Sequence, residues 1–118
     1  MDDLAVLRQE FSENEDAFLS IVIHDHRWDK EAFARLERAM RGVCAAFEES
    51  DQQDLPRWLV EGFWLCVDWL PDLTAHPRFP RPEPSTYYEA ALTRLQELQY
   101  WLVTGTSPYL PEHVFADL

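Results

Sequence analysis

His24 and His26 flank Asp25, the densest grouping in the chain of side chains able to ligate a metal or move a proton. Two imidazoles with a carboxylate between them could hold a divalent cation from a turn, or Asp25 could orient one ring as a general base. Asp16 stands eight residues before His24, about two helical turns away, and would share its face on an unbroken helix. Zinc sites draw on three or four protein ligands, and two histidines fall short of that. A second set, Asp68, Asp72 and His76, is spaced four and four, which on one helix puts all three on one face. Pro71 interrupts that run, and the paired Glu-x-x-His elements of a dimetal carboxylate bundle are missing. A small metal-binding bundle or enzyme using His24, His26 and carboxylates is therefore the alternative reading, and no cofactor is assigned.

Other chemistry is sparse. The sequence holds no G-x-S-x-G elbow, glycine-rich phosphate loop, C-x-x-C pair or H-E-x-x-H motif. Three glycines, Gly42, Gly62 and Gly105, give little means of cradling a phosphate. Cys66 lies among large apolar residues, which keeps a thiol protonated and inert. These absences read as a protein without enzymatic activity. Glu61 and Asp68 interrupt the most apolar stretch of the chain, and a buried carboxylate is costly unless paired. Each must reach solvent or a partner such as Arg57, Arg94 or Arg41, either as a wet edge or as part of a surface for a basic partner. Trp28 follows Arg27 in a polar context; it either packs on the bundle end or anchors a charged interface, where tryptophan and arginine contribute strongly.

Helices must position these groups. Leu4 and Leu7 mark a short helix or docking arm over 2–9. Ser12 with Glu15 three residues on is a capping-box pattern, and Ala17, Phe18, Ile21 and Val22 follow at helical spacing, predicting a helix over 13–23 in preference to a buried strand. Asp29 is a plausible N-cap for an amphipathic helix whose stripe is Phe33, Leu36, Met40, Val43, Cys44 and Phe47; Glu31, Arg35, Glu37, Arg38 and Arg41 occupy its other faces. Gly42 within it costs about 1 kcal/mol against alanine, tolerable on a surface or where two backbones pass closely. The polar run 48–54 ends the helix. Pro56 takes the first-turn position of the next one, nearly all apolar over 58–70, which predicts a central helix contributing Trp58, Phe63, Trp64, Val67 and Trp69 to the core, with some tryptophan rings near the surface or a cleft. The two long one-sided helices are expected to wrap it.

Pro71 ends or kinks that helix. The segment 72–84 carries Pro77, Pro80, Pro82 and Pro84 and predicts an ordered loop pinned by Phe79, a crossover or a binding element. Ser85 is read as the cap of a last helix over 86–103, with stripe Tyr88, Ala91, Leu92, Leu95, Leu98, Trp101 and Leu102, Arg94 off it, and Thr104-Gly105 as the stop. The tail 106–118 is apolar enough to fold back. The fold class is all-α: one domain over 1–118, a bundle of about four main helices with a proline-rich loop before the last.

At 118 residues and 47% hydrophobic, the chain can build a core without staples. Its two cysteines, Cys44 and Cys66, sit in apolar runs, consistent with reducing conditions and buried thiols. The amino terminus is acidic where a signal peptide would be basic, and no apolar run spans a bilayer; a cytoplasmic protein without membrane contact is expected. Acidic residues number 22 against 10 basic, a net charge of −12, with 14 acidic and 6 basic in residues 1–54, or −8. Such charge disfavours direct nucleic-acid binding and attracts basic proteins. In size, acidity and lack of catalytic motifs the chain resembles bacterial antitoxins and immunity proteins, which implies a stoichiometric inhibitor covering a basic effector such as a toxin or nuclease domain. Trp28, Glu31, Glu37, Glu48, Glu49, Asp51 and Asp54 are then the expected protein-binding residues. A structural subunit that self-associates through an apolar face is a further alternative.

Overall fold

Asp2 opens the first helix of the computed structural model, which describes residues 2–118: its carboxylate accepts the Ala5 N–H at 2.7 Å. Helix α1 (Asp3–Glu10) leads through a turn to α2 (Phe18–Asp25). The anticipated capping box does not form. Ser12 Oγ donates back to the Gln9 carbonyl at 2.7 Å, Asn14 Oδ1 accepts the Asp16 N–H at 3.0 Å, and α2 begins behind Ala17, which has no capping atom. Its first N–H finds a long-range substitute: Phe18 N donates to Glu10 Oε1 at 3.5 Å. Ala17, Phe18, Ile21 and Val22 are buried as their spacing required, and α2 closes at His26 in the left-handed region, φ 50°.

Helix α3 (Lys30–Glu49) starts where expected, with Asp29 Oδ1 accepting the Ala32 N–H at 3.0 Å. Trp28 is the residue before that cap and Phe33 is in the first turn beyond it, and their rings meet at 5.1 Å, a hydrophobic staple that fixes how the chain enters α3. On α3, Phe33, Leu36, Met40, Val43 and Cys44 are buried and Phe47 partly so. Gly42 is where α1 crosses α3: an added Cβ would collide with the Asp3 side chain, so the glycine marks a close approach.

Helix α4 (Arg57–Trp64), a π-helical turn over Leu65–Trp69 and α5 (Leu70–Thr74) follow without a break; Pro56 stands just before α4, not in its first turn, and supplies no side-chain cap. A π turn precedes Pro71, which does not end the helix. A proline clashes with the carbonyl four residues back and lacks an N–H to bond it; here the Leu70 N–H reaches instead to the Leu65 carbonyl, five residues back, and the chain passes through the proline in helical form.

The central position expected for this segment is corrected. Its buried large side chains are Leu59, Phe63, Cys66 and Leu70, a single stripe at spacings of four, three and four. Of the five residues expected in the core only Phe63 is fully buried; Trp58, Val67 and Trp69 are partly buried and Trp64 is 49% exposed. The rod lies against α6 and α1 on one side and leaves a second apolar stripe outward.

Over 75–84, Phe79 is buried, Arg81 Nε donates to the Thr74 carbonyl at 2.9 Å and the Arg81 guanidinium covers the Tyr88 ring at 5.0 Å. Helix α6 (Ser85–Thr104) carries no side-chain cap: Ser85 is its first residue and Pro84 precedes it, which corrects the capping role given to Ser85. Gly105, φ 73°, ends it by donating to the Trp101 carbonyl at 2.8 Å. The tail returns over α3 and α6, with Phe115 facing the guanidinium groups of Arg41 and Arg94 at 4.4 and 5.0 Å and Tyr109 edge-on to Trp101. The chain is thus an all-α, multi-helix bundle with no strand among the described residues, and no helix in it is long and apolar enough to cross a membrane.

Candidate functional site

The outward stripe of α4 and the π turn, Trp58, Leu65 and Trp69, faces Leu19 and Ile23 of α2 across a groove of about 720 Å³. Each wall follows from helical periodicity. Trp58, Leu65 and Trp69 are separated by seven and four, so they share a face distinct from that of Leu59, Phe63, Cys66 and Leu70. Leu19 and Ile23 are one turn apart, and Ile23 stands 43% exposed. Phe11 closes the space between the walls because Gly62 on α4 has no side chain: the Phe11 ring occupies the place where a Cβ would project.

Carboxylates rim this apolar floor. Glu10, Glu13 and Glu15 come from the α1 end and the α1–α2 connection, and Glu61 from α4; no lysine or arginine is among the described residues lining the groove. The Arg8 guanidinium lies over the Trp58 ring at 4.7 Å. Glu13, Glu15 and Glu61 are exposed and form no ion pair among the described residues. Glu10 differs: it is 6% exposed, and its Oε2 meets Arg35 Nε at 3.4 Å, while Arg35 also donates to the Asp16 carbonyl at 2.7 Å.

Burial raises the Glu10 carboxyl above its ordinary 4.5, and the attraction of Arg35 with the Phe18 N–H only partly offsets it. An acid held more tightly in the folded state lowers stability as pH climbs from its unfolded to its folded value. Glu10→Gln removes that loss, so its stability relative to the parent chain is expected to improve as pH rises above the ordinary carboxyl value, read by urea titration at each pH. If the variant instead loses ground over that range, the Arg35 attraction outweighs burial. Nearby Cys66 is pushed up to about 12 by burial and then by the Glu10 charge. Cys44 is likewise raised to about 12, by burial and by Glu48; both thiols are free and buried, which leaves them unreactive.

The residues singled out from sequence are scattered. Glu31 is exposed near the start of α3, and Glu48, Glu49, Asp51 and Asp54 are exposed at its end or beyond; Glu31 and Glu48 are about 25 Å apart along the helix. Glu48 is engaged locally, accepting from Trp101 Nε1 at 2.8 Å. Trp28 and Glu37 are buried, and no partner reaches them on the folded surface. Trp28 packs among Phe18, Phe33, Tyr87 and Tyr88 and donates from Nε1 to Tyr87 Oη at 3.0 Å. Glu37 is 2% exposed; its Oε1 accepts from Arg94 Nη1 at 2.6 Å and lies 2.7 Å from Arg41 Nε. Arg41 and Arg94 therefore serve Glu37, not Glu61 or Asp68, which are both exposed to solvent.

His24 is exposed on α2 and lines the groove, whereas His26 lies at a separate hollow beside Leu73, His76 and Phe79. His76 Nδ1 accepts the Arg78 N–H at 3.1 Å. No group of three or more His, Cys, Asp or Glu side chains able to hold a metal is present among the described residues.

Sequence reasoning did not assemble the groove, although one signal was present: two apolar stripes on a single helix, only one of which can face one core. No family model matches this chain, and neither a curated protein nor a solved structure matches it.

Proposed function

We propose that the chain is a stoichiometric protein-binding module that recognises a basic partner, in the manner of an immunity or antitoxin-type inhibitor covering an effector. The observation that carries this reading is the α2–α4 groove: an apolar floor of Leu19, Ile23, Trp58, Leu65 and Trp69 beside three exposed, unpaired carboxylates, Glu13, Glu15 and Glu61. Interfaces combine a desolvated apolar and aromatic centre with a polar rim, and a rim of one sign steers an oppositely charged partner. The net charge of −12 adds long-range attraction for a basic surface and opposes a phosphate backbone. It also opposes close association of two copies.

Affinity capture tests the reading with three baits: the parent chain, Glu13→Gln/Glu15→Gln/Glu61→Gln, and Glu49→Gln/Asp51→Asn/Asp54→Asn, which removes equal charge from residues that do not line the groove. The parent and the distal variant are expected to recover the same basic protein in equimolar amount, and the groove variant to lose it. Raising salt from about 0.05 to 0.5 M is expected to slow association by roughly tenfold or more. An on-rate indifferent to salt, or equal loss with both variants, would count against recognition at this site.

A further inference from the structure

We infer that the partner's segment seated in the groove is an amphipathic helix of about three turns, with large apolar side chains on the seated face and lysine or arginine along its flanks. This rests on the function proposed above and specifies which part of the partner is recognised. Both walls of the groove are helices, and no strand is present among the described residues, so the chain offers no sheet edge on which an extended peptide could be hydrogen-bonded. Strand addition is thereby excluded, and between a polyproline segment and a helix laying its apolar face into a hydrophobic trough, the length and stagger of the apolar walls favour the helix.

The dimensions agree. Trp58 and Trp69 are eleven residues apart on one continuous helical rod, about 16 Å along its axis, which is three turns of a seated helix. Leu65 lies between them, and Leu19 with Ile23 supplies the opposite wall one turn apart, so side chains at positions i, i+3 or i+4 and i+7 of the incoming helix each meet an apolar surface. Charge fixes its flanks. Glu13 and Glu15 come from the α1–α2 connection and Glu61 from α4, and none of the three forms an ion pair among the described residues. A second copy of this chain would bring another −12 to the site and is disfavoured on that ground.

Three synthetic peptides of about fifteen residues test the inference. One has leucine and phenylalanine in a helical stripe with lysine elsewhere, the second has the same composition scrambled to remove the stripe, and the third has glutamate for every lysine. Binding is followed by tryptophan fluorescence and by backbone amide shifts in the full chain. The striped basic peptide is expected to bind at least about tenfold more tightly than the scrambled one, with shifts concentrated on α2 and on Arg57–Trp69. Trp69→Ala is expected to weaken it about tenfold or more. Ile23→Lys, at a position exposed enough to leave folding intact, places a cation on the floor and is expected to do the same.

Equal affinity for the striped and scrambled basic peptides would overturn the helix while leaving recognition of a basic partner standing. Equal affinity for the glutamate peptide would overturn both. Absence of binding, or shifts centred away from the groove, would overturn the inference, as would sedimentation showing a dimer that Ile23→Lys dissolves, since the occupant would then be a second copy.

Discussion

Glu37→Gln is expected to lower the unfolding free energy by about 3–5 kcal/mol, a large share of the roughly 5–15 kcal/mol of an ordinary domain. Glu37 is the carboxylate that two arginines share inside the bundle. Arg94 donates to its Oε1 at 2.6 Å with only 9% of its side chain exposed, and Arg41 approaches the same oxygen at 2.7 Å. Guanidinium groups stay protonated at any ordinary pH, so glutamine, though its amide oxygen still accepts, leaves Arg94 as a buried cation without its counter-charge beside the Phe115 ring. Arg41, 26% exposed along its side chain, can move its head towards water and suffers less. The cost therefore arises from an unpaired charge, and removing that charge as well should recover it. Glu37→Met combined with Arg94→Leu is expected to regain most of the loss, because apolar replacements of a whole buried ion cluster are often neutral or better. Urea titration of the two variants decides the matter; a double variant no better than the single one would mean that the ion pair itself, and not the orphaned arginine, governs stability.

Trp28→Ala is expected to cost about 3–5 kcal/mol, whereas Trp64→Ala is expected to stay within about 0.5 kcal/mol. The contrast follows from burial: Trp28 is 6% exposed and Trp64 is 49% exposed. Trp28 contacts four aromatic rings, and removing it opens a cavity where the start of α2, the start of α3 and the start of α6 meet. The Tyr87 hydroxyl also loses the Trp28 N–H, although it keeps the Leu118 carbonyl at 2.9 Å. Trp28→Phe keeps part of the staple against Phe33 and should fall between the two. Thermal melts of the three variants measure the order, and a Trp28→Ala chain as stable as the parent would return Trp28 to the surface role first considered for it.

Both residues show what was legible in the chain. Glu37 lies four after Phe33 and three before Met40, and Arg94 lies three after Ala91 and four before Leu98. Each charge therefore stands within an apolar stripe, which corrects the outer faces expected for Glu37 and Arg94, and the two opposite charges pair inside the bundle. Trp28 likewise precedes the Asp29 cap with Phe33 following at staple distance. The periodicity of α3 and α6, the Asp29 cap and the Gly105 stop could all be read because each rests on contacts within about two turns. The Ser12 capping box could not be trusted for the converse reason: the N–H at the start of α2 is met by Glu10, eight residues away in sequence.

By itself, the sequence determined the helical class, the acidity and the inward stripes of the long helices, since these follow from side-chain type and a repeat of 3.6 residues. Tertiary structure alone decided which face of the rod from Arg57 to Thr74 turned inward. Two apolar stripes compete there, and the one holding Leu59, Phe63, Cys66 and Leu70 is buried while that of Trp58, Leu65 and Trp69 lines the groove. Helical periodicity names the faces of a helix but cannot choose between two that are equally apolar; the choice belongs to the neighbours that pack against it.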